Sequence, residues 1–285
     1  MTSLQLIESI KDYRVLFVGD TIIDEYHYVT PLGKSAKENL IPVRYESQEV
    51  FMGGVEAAAN HLTTLCHVDI SSGGHAVRKV RFIDRDYMRK LFEVHYLDGL
   101  QLHKRNNFQY DVVAVTDFGH GSVTGDDILT MTREAPFLAV AAQTNSANFG
   151  FNLITKYPRA DYIVIDEPEA RLAAQDKEGH IEDVILKLAH GRCNKFIVTH
   201  GRYGAWGYDG HKFYHQKAFT DLVRDTMGAG DAFFSVTAPM AKEGKMEDLL
   251  KIGCAAGAIK TGIVGHRSSV TKELLIDFIR SHPNQ

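Results

Sequence analysis

Short apolar runs alternate with segments of helical pattern along most of the chain. The runs are rich in β-branched and aromatic residues and lack a regular polar face, which is typical of strands buried on both faces. The strands predicted in this way are 13–19, 68–72, 110–116, 137–142, 161–166 and 195–199. The segments with helical pattern are 55–62, 124–134, 170–175, 232–242, 246–261 and 272–281. Because strands and helices alternate, the pattern predicts an α/β fold, doubly wound, with a mainly parallel sheet and helices on both faces.

Two other stretches alternate between apolar and polar side chains, the pattern of strands with one solvated face. They cover about residues 38–52 and 77–97, and the second turns at Arg85-Asp86 to form a hairpin. We expect these strands to form a small sheet beside the main one. No internal repeat or low-complexity linker interrupts the chain, so residues 1–285 are predicted to form a single domain.

Composition narrows the classes of function. The 285 residues are 44% hydrophobic and 24% charged, as in an ordinary globular protein. A net charge of -4 without a basic tract argues against a nucleic-acid partner. No apolar run approaches the ~20 residues that span a membrane, and the first residues lack a signal-peptide core. Cys66, Cys193 and Cys254 are widely spaced, which suits a reducing compartment, so we expect a cytoplasmic protein with no membrane partner.

The stretch Asp225–Asp231 carries the strongest chemical signal. Gly228 and Gly230 flank Ala229 directly before an apolar helical segment, which predicts a tight turn opening into a helix. The first amides of a helix have no internal acceptors, so small residues there let a phosphate bind them. Asp231 lies beside this anion site, where the positive end of the helix favours its ionised form and makes it a candidate base. The alternative is an ordinary loop in which Asp231 only caps the helix.

A second group of acids follows the first strand. Asp20 and Asp24 lie at its carboxyl end, the edge at which ligands collect in open α/β sheets. Carboxylates accept hydrogen bonds and can hold sugar hydroxyls. A capped turn explains these two acids equally well.

Four segments together resemble the ribokinase-like (PfkB) carbohydrate kinases. Asp225–Asp231 is similar to the C-terminal signature of that family, and Gly19–Asp24 resembles its first-strand motif. Gly53-Gly54 before a helix and the Thr199–Gly204 turn match two further motifs in the family's order. The resemblance spans about residues 13–275.

The resemblance implies ATP-dependent phosphorylation of a sugar or sugar-phosphate hydroxyl on a ribokinase-like fold with a small β-strand lid. Asp231 is then the general base, with an anion hole formed by the amides of Gly228, Ala229 and Gly230. The sugar is expected to contact Asp20, Asp24, Gly53, Gly54 and Asn60, the last in place of an asparagine that Ala57 removes. ATP is expected to contact Thr199, Gly201, Gly204, Asp225 and Thr226. Mg²⁺ is expected near Asp166 and Glu169, which replace the family's Asn-x-x-Glu.

Finer features point to one branch of the family. Residues 77–82 and 117–121 are similar to the kinase domain of bacterial heptose-phosphate kinase/adenylyltransferases, although His120 replaces a lysine of that branch. The lid implies a homodimer, and the family leaves a monovalent-cation requirement open. The departures at Ala57, His120 and Asp166 keep a second hypothesis open, a protein that binds a sugar or nucleotide without turnover. A metal site at His211 and His215 is disfavoured, because no third ligand has a supporting spacing.

Overall fold

The computed structural model describes residues 1–72, 76–97, 108–219 and 223–283, whose strands form two sheets. The strands are β1 Arg14–Gly19, β2 Thr21–Pro31, β3 Val43–Gly54, β4 His67–Ser72, β5 Val77–Asp84, β6 Arg89–Tyr96, β7 Val112–Asp117, β8 Leu138–Ala142, β9 Tyr162–Asp166, β10 Lys195–Thr199, β11 Ala205–Tyr208 and β12 Phe213–Gln216. The helices are α1 Ser3–Ser9, α2 Val55–Asn60, α3 Gly125–Glu134, α4 Glu167–Ala174, α5 Ile181–Ala189, α6 Ala229–Met240, α7 Met246–Thr261 and α8 Lys272–Ser281. Within the described ranges, no helix is long and apolar enough to cross a membrane.

The main sheet has the strand order β12-β11-β10-β9-β8-β7-β1-β4. The six strands from β10 to β4 run parallel, and the hairpin β11–β12 adds two antiparallel strands at one edge. The carboxyl ends of the parallel strands therefore meet along a single edge, which is where the motif residues lie. The prediction of a doubly wound, mainly parallel sheet is confirmed.

The inner parallel strands are predominantly apolar because each face of the main sheet has its own core, whereas the edge strand β4 is largely polar. In β1, Val15 and Phe17 pack with α1, α2, α6, α7 and α8, whereas Leu16 and Val18 pack with α3, α4 and α5. The continuous apolar runs that predicted buried strands thus pack against a helix layer on each face of the sheet.

The small sheet has the strand order β3-β2-β5-β6 and lies over the carboxyl edge of the main sheet; we call it the lid. The sequence predicted lid strands at about 38–52 and 77–97, and β3, β5 and β6 correspond to them. The prediction was incomplete, because β2, an inner strand of the lid, was not identified. Its buried face carries Asp24 between Ile22 and Tyr26, and this acid breaks the apolar pattern expected of a buried strand face.

Helix α5 was also not identified from the sequence. Its apolar residues have helical spacing, but the residue at its N-cap, His180, makes no side-chain capping hydrogen bond. By contrast, α3 begins with a capping box between Thr124 and Asp127.

Candidate active site

The N-terminus of α6 opens onto a cleft at the edge of the main sheet. Gly228 is the N-cap residue and has φ +74°, a left-handed conformation that favours glycine. A Cβ atom at Gly228 would lie 3.2 Å from Cε of Lys260. The sequence-based expectation of a tight turn opening into a helix is therefore correct in position and in conformation.

Three amides at this helix start are free to bind an anion. The Ala229 N–H donates to the Thr226 carbonyl over 3.3 Å. In the described part of the chain, no protein acceptor faces the N–H groups of Gly228, Gly230 and Asp231. Of the three amides predicted to form an anion hole, those of Gly228 and Gly230 are free and that of Ala229 is engaged in the turn, while the Asp231 amide is free as well.

Asp231 lies in the first turn of α6, two residues after the first helical residue, so it is not the N-cap. Its Oδ1 accepts a hydrogen bond of 2.6 Å from Nε2 of Gln143, a residue that follows β8. Burial raises the pKa of Asp231, partly offset by His266, by the Gln143 hydrogen bond and by Lys260. The helix start was expected to favour the ionised form of Asp231, but the net shift of its pKa is upward, with burial as the largest cause. Gln143 had no sequence signal, being 88 residues from Asp231.

The cleft has a volume of about 390 Å³ and brings many of the predicted residues together. Those that line it are Thr199, Gly201, Gly204, Thr226, Gly228, Ala229, Gly230, Asp231, Asp166 and Glu169. Side chains of Phe219, Val223 and Phe233 form part of its apolar wall. A flat apolar group and a chain of phosphates are the kind of ligand that such a cleft accommodates.

The turn after β10 forms one wall of the cleft. The Gly204 carbonyl accepts the His200 amide over 2.8 Å, closing the turn. Gly204 has φ +94°, and a Cβ there would lie 1.9 Å from the Gln216 carbonyl oxygen of β12. Glycine is required at this position because the turn packs directly on a neighbouring strand.

Asp225 lies behind the cleft rather than on its surface. Its Oδ1 accepts the Met227 amide over 3.1 Å and its Oδ2 accepts the Gly265 amide over 2.9 Å. Burial opposes ionisation, but these amides, Lys90 and Lys260 lower the pKa of Asp225 overall. The structure therefore gives Asp225 the task of shaping the loop before α6.

Asp166 and Glu169 form a capping box at the start of α4. Asp166 Oδ1 accepts the Glu169 amide over 2.8 Å, and Glu169 Oε2 accepts the Asp166 amide over 3.1 Å. Burial, reinforced by Asp166, raises the pKa of Glu169 to about 9, and burial also raises the pKa of Asp166. Neither carboxylate has a cationic partner within 4 Å in the described ranges. The capping role and a metal-binding role are both compatible with this arrangement.

Asp20 is directed away from the cleft. Its carboxylate accepts hydrogen bonds from the amides of Phe118, His120 and Ser122, and the residue is 1% exposed. It holds the loop after β7, as in the alternative of a capped turn. Both oxygens of Asp20 are thus engaged by main-chain amides.

Asp24 faces the main sheet from the inner side of the lid. It pairs with Arg81 of β5, and its Oδ2 lies 3.3 Å from Nε2 of His266. Burial opposes ionisation, but His266 and Arg81 lower the pKa of Asp24 overall. A Cβ at Gly53 would lie 2.4 Å from this carboxylate, so the first of the paired glycines is required by the close approach of Asp24. The second, Gly54, has φ +62° and contacts Asp20.

Asn60 is exposed at the C-terminal end of α2, where it lines a shallow pocket with His266 and Arg267. The structure does not bring it into the cleft, because Ala57 occupies the buried side of α2. No cluster of three metal-ligating side chains occurs in the described ranges.

Comparisons with known proteins identify structures of the same fold. The chain is similar to ribokinase from Thermotoga maritima, with 16% identity, a TM-score of 0.73, and coverage of 94% of this chain and 99% of that one. It is also similar to Arabidopsis thaliana ribokinase complexed with ribose and ATP, with 13% identity, a TM-score of 0.73, and coverage of 94% and 99%. Escherichia coli phosphofructokinase-2 in complex with potassium has 10% identity, a TM-score of 0.69, and coverage of 96% and 100%.

These structural similarities show the fold, because the sequence identities are low. No curated protein sequence matches the chain significantly. The sequence profile of the pfkB family carbohydrate kinases, however, matches residues 24–273, which is most of the chain. The protein therefore belongs to the pfkB family of carbohydrate kinases.

Proposed function

We propose that this kinase transfers the γ-phosphoryl group of ATP to a hydroxyl of a sugar or sugar phosphate, with Asp231 as the general base. The observation that carries the proposal is the set of free amides at Gly228, Gly230 and Asp231, in the same cleft as the Asp231 carboxylate. The amides stabilise the charge of the migrating phosphoryl group, while the carboxylate accepts the proton of the attacking hydroxyl. Gln143 holds one oxygen of Asp231, which leaves the other for the substrate.

The ATP phosphates lie, in this proposal, between the turn after β10 and the start of α6. Thr199, Gly201 and Gly204 line one side of the cleft and Thr226 the other. The Arabidopsis ribokinase structure, which has the same fold, contains ribose and ATP. Asp225 acts indirectly, by holding the loop that presents Thr226.

The residues at the start of α4 fit a magnesium ion. Asp166 and Glu169 offer carboxylate oxygens, the ligands that Mg²⁺ prefers, and no side-chain cation lies within 4 Å of either one in the described ranges. When bound, Mg²⁺ neutralises phosphate charge and orients the phosphates. The phosphofructokinase-2 structure contains potassium, which raises the question of whether this kinase requires a monovalent cation.

The lid supports an acceptor that carries a phosphate. Lys79 of β5 is 6% exposed, and in the described part of the chain its ammonium has neither a hydrogen-bond acceptor nor a carboxylate within 4 Å. Nε2 of His120 is buried and has no hydrogen-bond partner among the described residues. Burial, followed by the charge of nearby Lys79, lowers the pKa of His120 to about 4. A sugar phosphate would satisfy both groups, in line with the resemblance to the heptose-phosphate kinase branch.

Asp24 is the residue that we propose to bind the sugar hydroxyls, with Gly53 and Gly54 beside it. Of its present partners, Arg81 belongs to the lid strand β5 and His266 to the loop after α7. Sugar binding then replaces one of these contacts. We leave two residues out of the proposed sugar site. Both oxygens of Asp20 accept main-chain amides, and Asn60 lines the separate pocket beside His266.

We also propose that residues 1–285 form one kinase domain that pairs with a second copy through the outer face of the lid. That face carries Phe82 stacked on Phe92 at 4.5 Å, and it exposes apolar side chains. They include Tyr45, Val50, Met52, Phe92, Val94 and Tyr96. A contiguous exposed apolar surface of this kind is typical of a protein interface.

The three cysteines are unpaired thiols, which supports a reducing, cytoplasmic location.

The test is ADP release with Mg-ATP against a panel of free pentoses, hexoses and heptoses and their phosphates. We expect turnover with a sugar phosphate and its loss in the Asp231→Asn variant. Turnover confined to unphosphorylated sugars would refute the role of Lys79 and leave the kinase assignment intact. If no compound in the panel causes ADP release, while calorimetry shows saturable binding of a sugar or ATP, the alternative of binding without turnover would be favoured.

A further inference from the structure

Lys260 of α7 is a buried cation that the proposed phosphoryl transfer does not use. It is 0% exposed. Its Nζ donates to the carbonyl of Met227 over 2.9 Å and to the carbonyl of Gly265 over 2.7 Å. In the described ranges no carboxylate lies within 4 Å of Nζ, so main-chain oxygens alone bind this ammonium directly. Burying a lysine in this way is costly, which calls for a reason.

The two carbonyls belong to the two loops that shape the start of α6. Met227 directly precedes the N-cap Gly228, and Gly265 lies in the loop after α7. Asp225 links the same two loops through its hydrogen bonds with the amides of Met227 and Gly265. Lys260 thus binds the carbonyl groups of the two loops, whereas Asp225 binds their amide groups. The stem of Lys260 lies directly behind Gly228, whose amide is free to bind the phosphoryl group.

This arrangement is the ligand set of a monovalent-cation site, with an ammonium in place of the ion. Carbonyl oxygens from two adjacent loops and a nearby carboxylate are the groups that replace the hydration shell of K⁺ in proteins. Here the carbonyl oxygens are already bound at hydrogen-bond distance by Lys260, and both oxygens of Asp225 accept amides. A free monovalent ion does not fit at this place, because the ammonium fills it.

We propose that Lys260 is a built-in monovalent cation, which fixes the loop before α6 so that the anion hole is formed without K⁺ or Na⁺. Lys260 is a positioning residue, since it acts through the Met227 and Gly265 carbonyls rather than on the substrate. The inference rests on the proposed function of the α6 amides. It predicts that the wild-type enzyme is independent of monovalent cations.

The test compares wild-type protein with Lys260→Ala and Lys260→Met at constant ionic strength in choline, Na⁺, K⁺ or NH₄⁺ chloride. We expect wild-type turnover to be the same in all four salts. Lys260→Ala should lose about 10²-fold in kcat because the anion hole is misplaced, and NH₄⁺ or K⁺ should restore part of it. Lys260→Met fills the space with an apolar chain, so no salt should restore its activity.

A second readout does not depend on turnover. Because an ion that binds only the native state stabilises it, NH₄⁺ or K⁺ should raise the Tm of ATP-free Lys260→Ala by at least about 2 °C relative to choline. The Tm of the wild type should not respond. Lys195→Ala is the matched control, since Lys195 also donates to two main-chain carbonyls, at Ala241 and Gly244, away from the cleft. It should lose stability without a salt-dependent change in kcat.

Three outcomes would overturn the inference. They are stimulation of the wild type by K⁺, full activity of Lys260→Ala in choline, and a Lys260→Ala protein whose Tm and kcat ignore every cation. If no substrate is turned over at all, the proposed function fails, yet the Tm measurements still decide whether Lys260 fills a cation site.

Discussion

Replacing Asp231 by asparagine tests the proposed chemistry most directly. Asparagine has the shape of aspartate, and its side-chain oxygen can still accept the 2.6 Å hydrogen bond from Gln143. The first turn of α6 and the free amides of Gly228 and Gly230 are main-chain features, so the anion hole is retained. The substitution therefore removes proton acceptance and little else.

The expected loss of activity is therefore the contribution of the general base alone. General base catalysis contributes about 10²–10⁴-fold, which corresponds to ~2.7–5.4 kcal/mol at ~1.36 kcal/mol for each factor of ten. Burial raises the pKa of Asp231 above its ordinary value of 3.8, which brings the base closer to neutral pH and makes it more effective. We expect kcat to fall by at least about 10²-fold, with ATP binding unchanged.

The assay is the pH profile of kcat/KM, from coupled ADP release, together with calorimetric titration of a non-hydrolysable ATP analogue. In the wild type, activity should fall on the acid side as Asp231 becomes protonated, and this limb should be absent from the residual activity of Asp231→Asn. Gln143→Leu removes a hydrogen bond that lowers the pKa of Asp231, so it should move the acid limb to higher pH. Asp126→Asn, an exposed substitution on α3, is the matched control.

Two results would refute the reasoning. An Asp231→Asn enzyme with wild-type turnover would remove Asp231 from the role of base. An acid limb that persists unchanged in this variant would show that another group titrates. Loss of ATP binding together with activity would instead indicate that the carboxylate shapes the cleft.

Further predictions concern the turn, the acidic helix start and the lid. Gly228→Ala places a side chain at φ +74°, so it should lose ~1–2 kcal/mol of stability and also ATP-analogue binding; Gly191→Ala, at φ +69° in open space, should show only the stability loss in urea unfolding. Because burial and the neighbouring carboxylate raise the pKa of Glu169 from 4.5 to about 9, its contribution to the free energy of unfolding is lost as the pH rises through that window. Glu169→Gln should flatten this dependence, and an unchanged slope in urea titrations at several pH values would contradict it. Val94→Glu on the outer face of the lid should give monomers by light scattering, whereas Leu129→Glu on α3 should leave a dimer; a wild-type monomer would disprove the interface.

The fold was predictable where a single physical cause dictates the local pattern. Strands β7 and β9 are buried on both faces, so their sequences are apolar up to the polar residues at their carboxyl ends, and this pattern alone predicts them. The start of α6 was predictable because a left-handed N-cap calls for glycine, as at Gly228. Strand β2 was not predictable, because the polar Asp24 lies on its buried face and interrupts the apolar pattern.

The partners of the site residues could not be predicted, because they come from distant parts of the chain. Gln143 meets Asp231 across 88 positions, and Asp20 meets the Ser122 amide across 102. A sequence indicates that an acid follows a strand, but not which amides or cations the fold sets beside it. For the same reason the sign of the Asp231 pKa shift was missed, as the burial that raises it arises from packing.

The way in which the two sheets are joined has a mechanical consequence. Asp20 alone separates β1 from β2, and α2 follows β3 without a break. The described strands pass between the two sheets four times, and these two crossings touch, since the Asp20 carbonyl accepts the Val55 amide over 3.0 Å. We take this contact as the pivot for a rotation of the lid. Along a strand that rises ~3.3 Å per residue, Asp24 is ~13 Å from this pivot and Pro31 is ~36 Å from it. A rotation of about 10° would carry the far end of β2 through ~6 Å but Asp24 through only ~2 Å, which is enough to part it from His266. Such a rotation would open a wide mouth under the far end of the lid, whereas Asp24, which we propose to bind the sugar, would stay close to its present position.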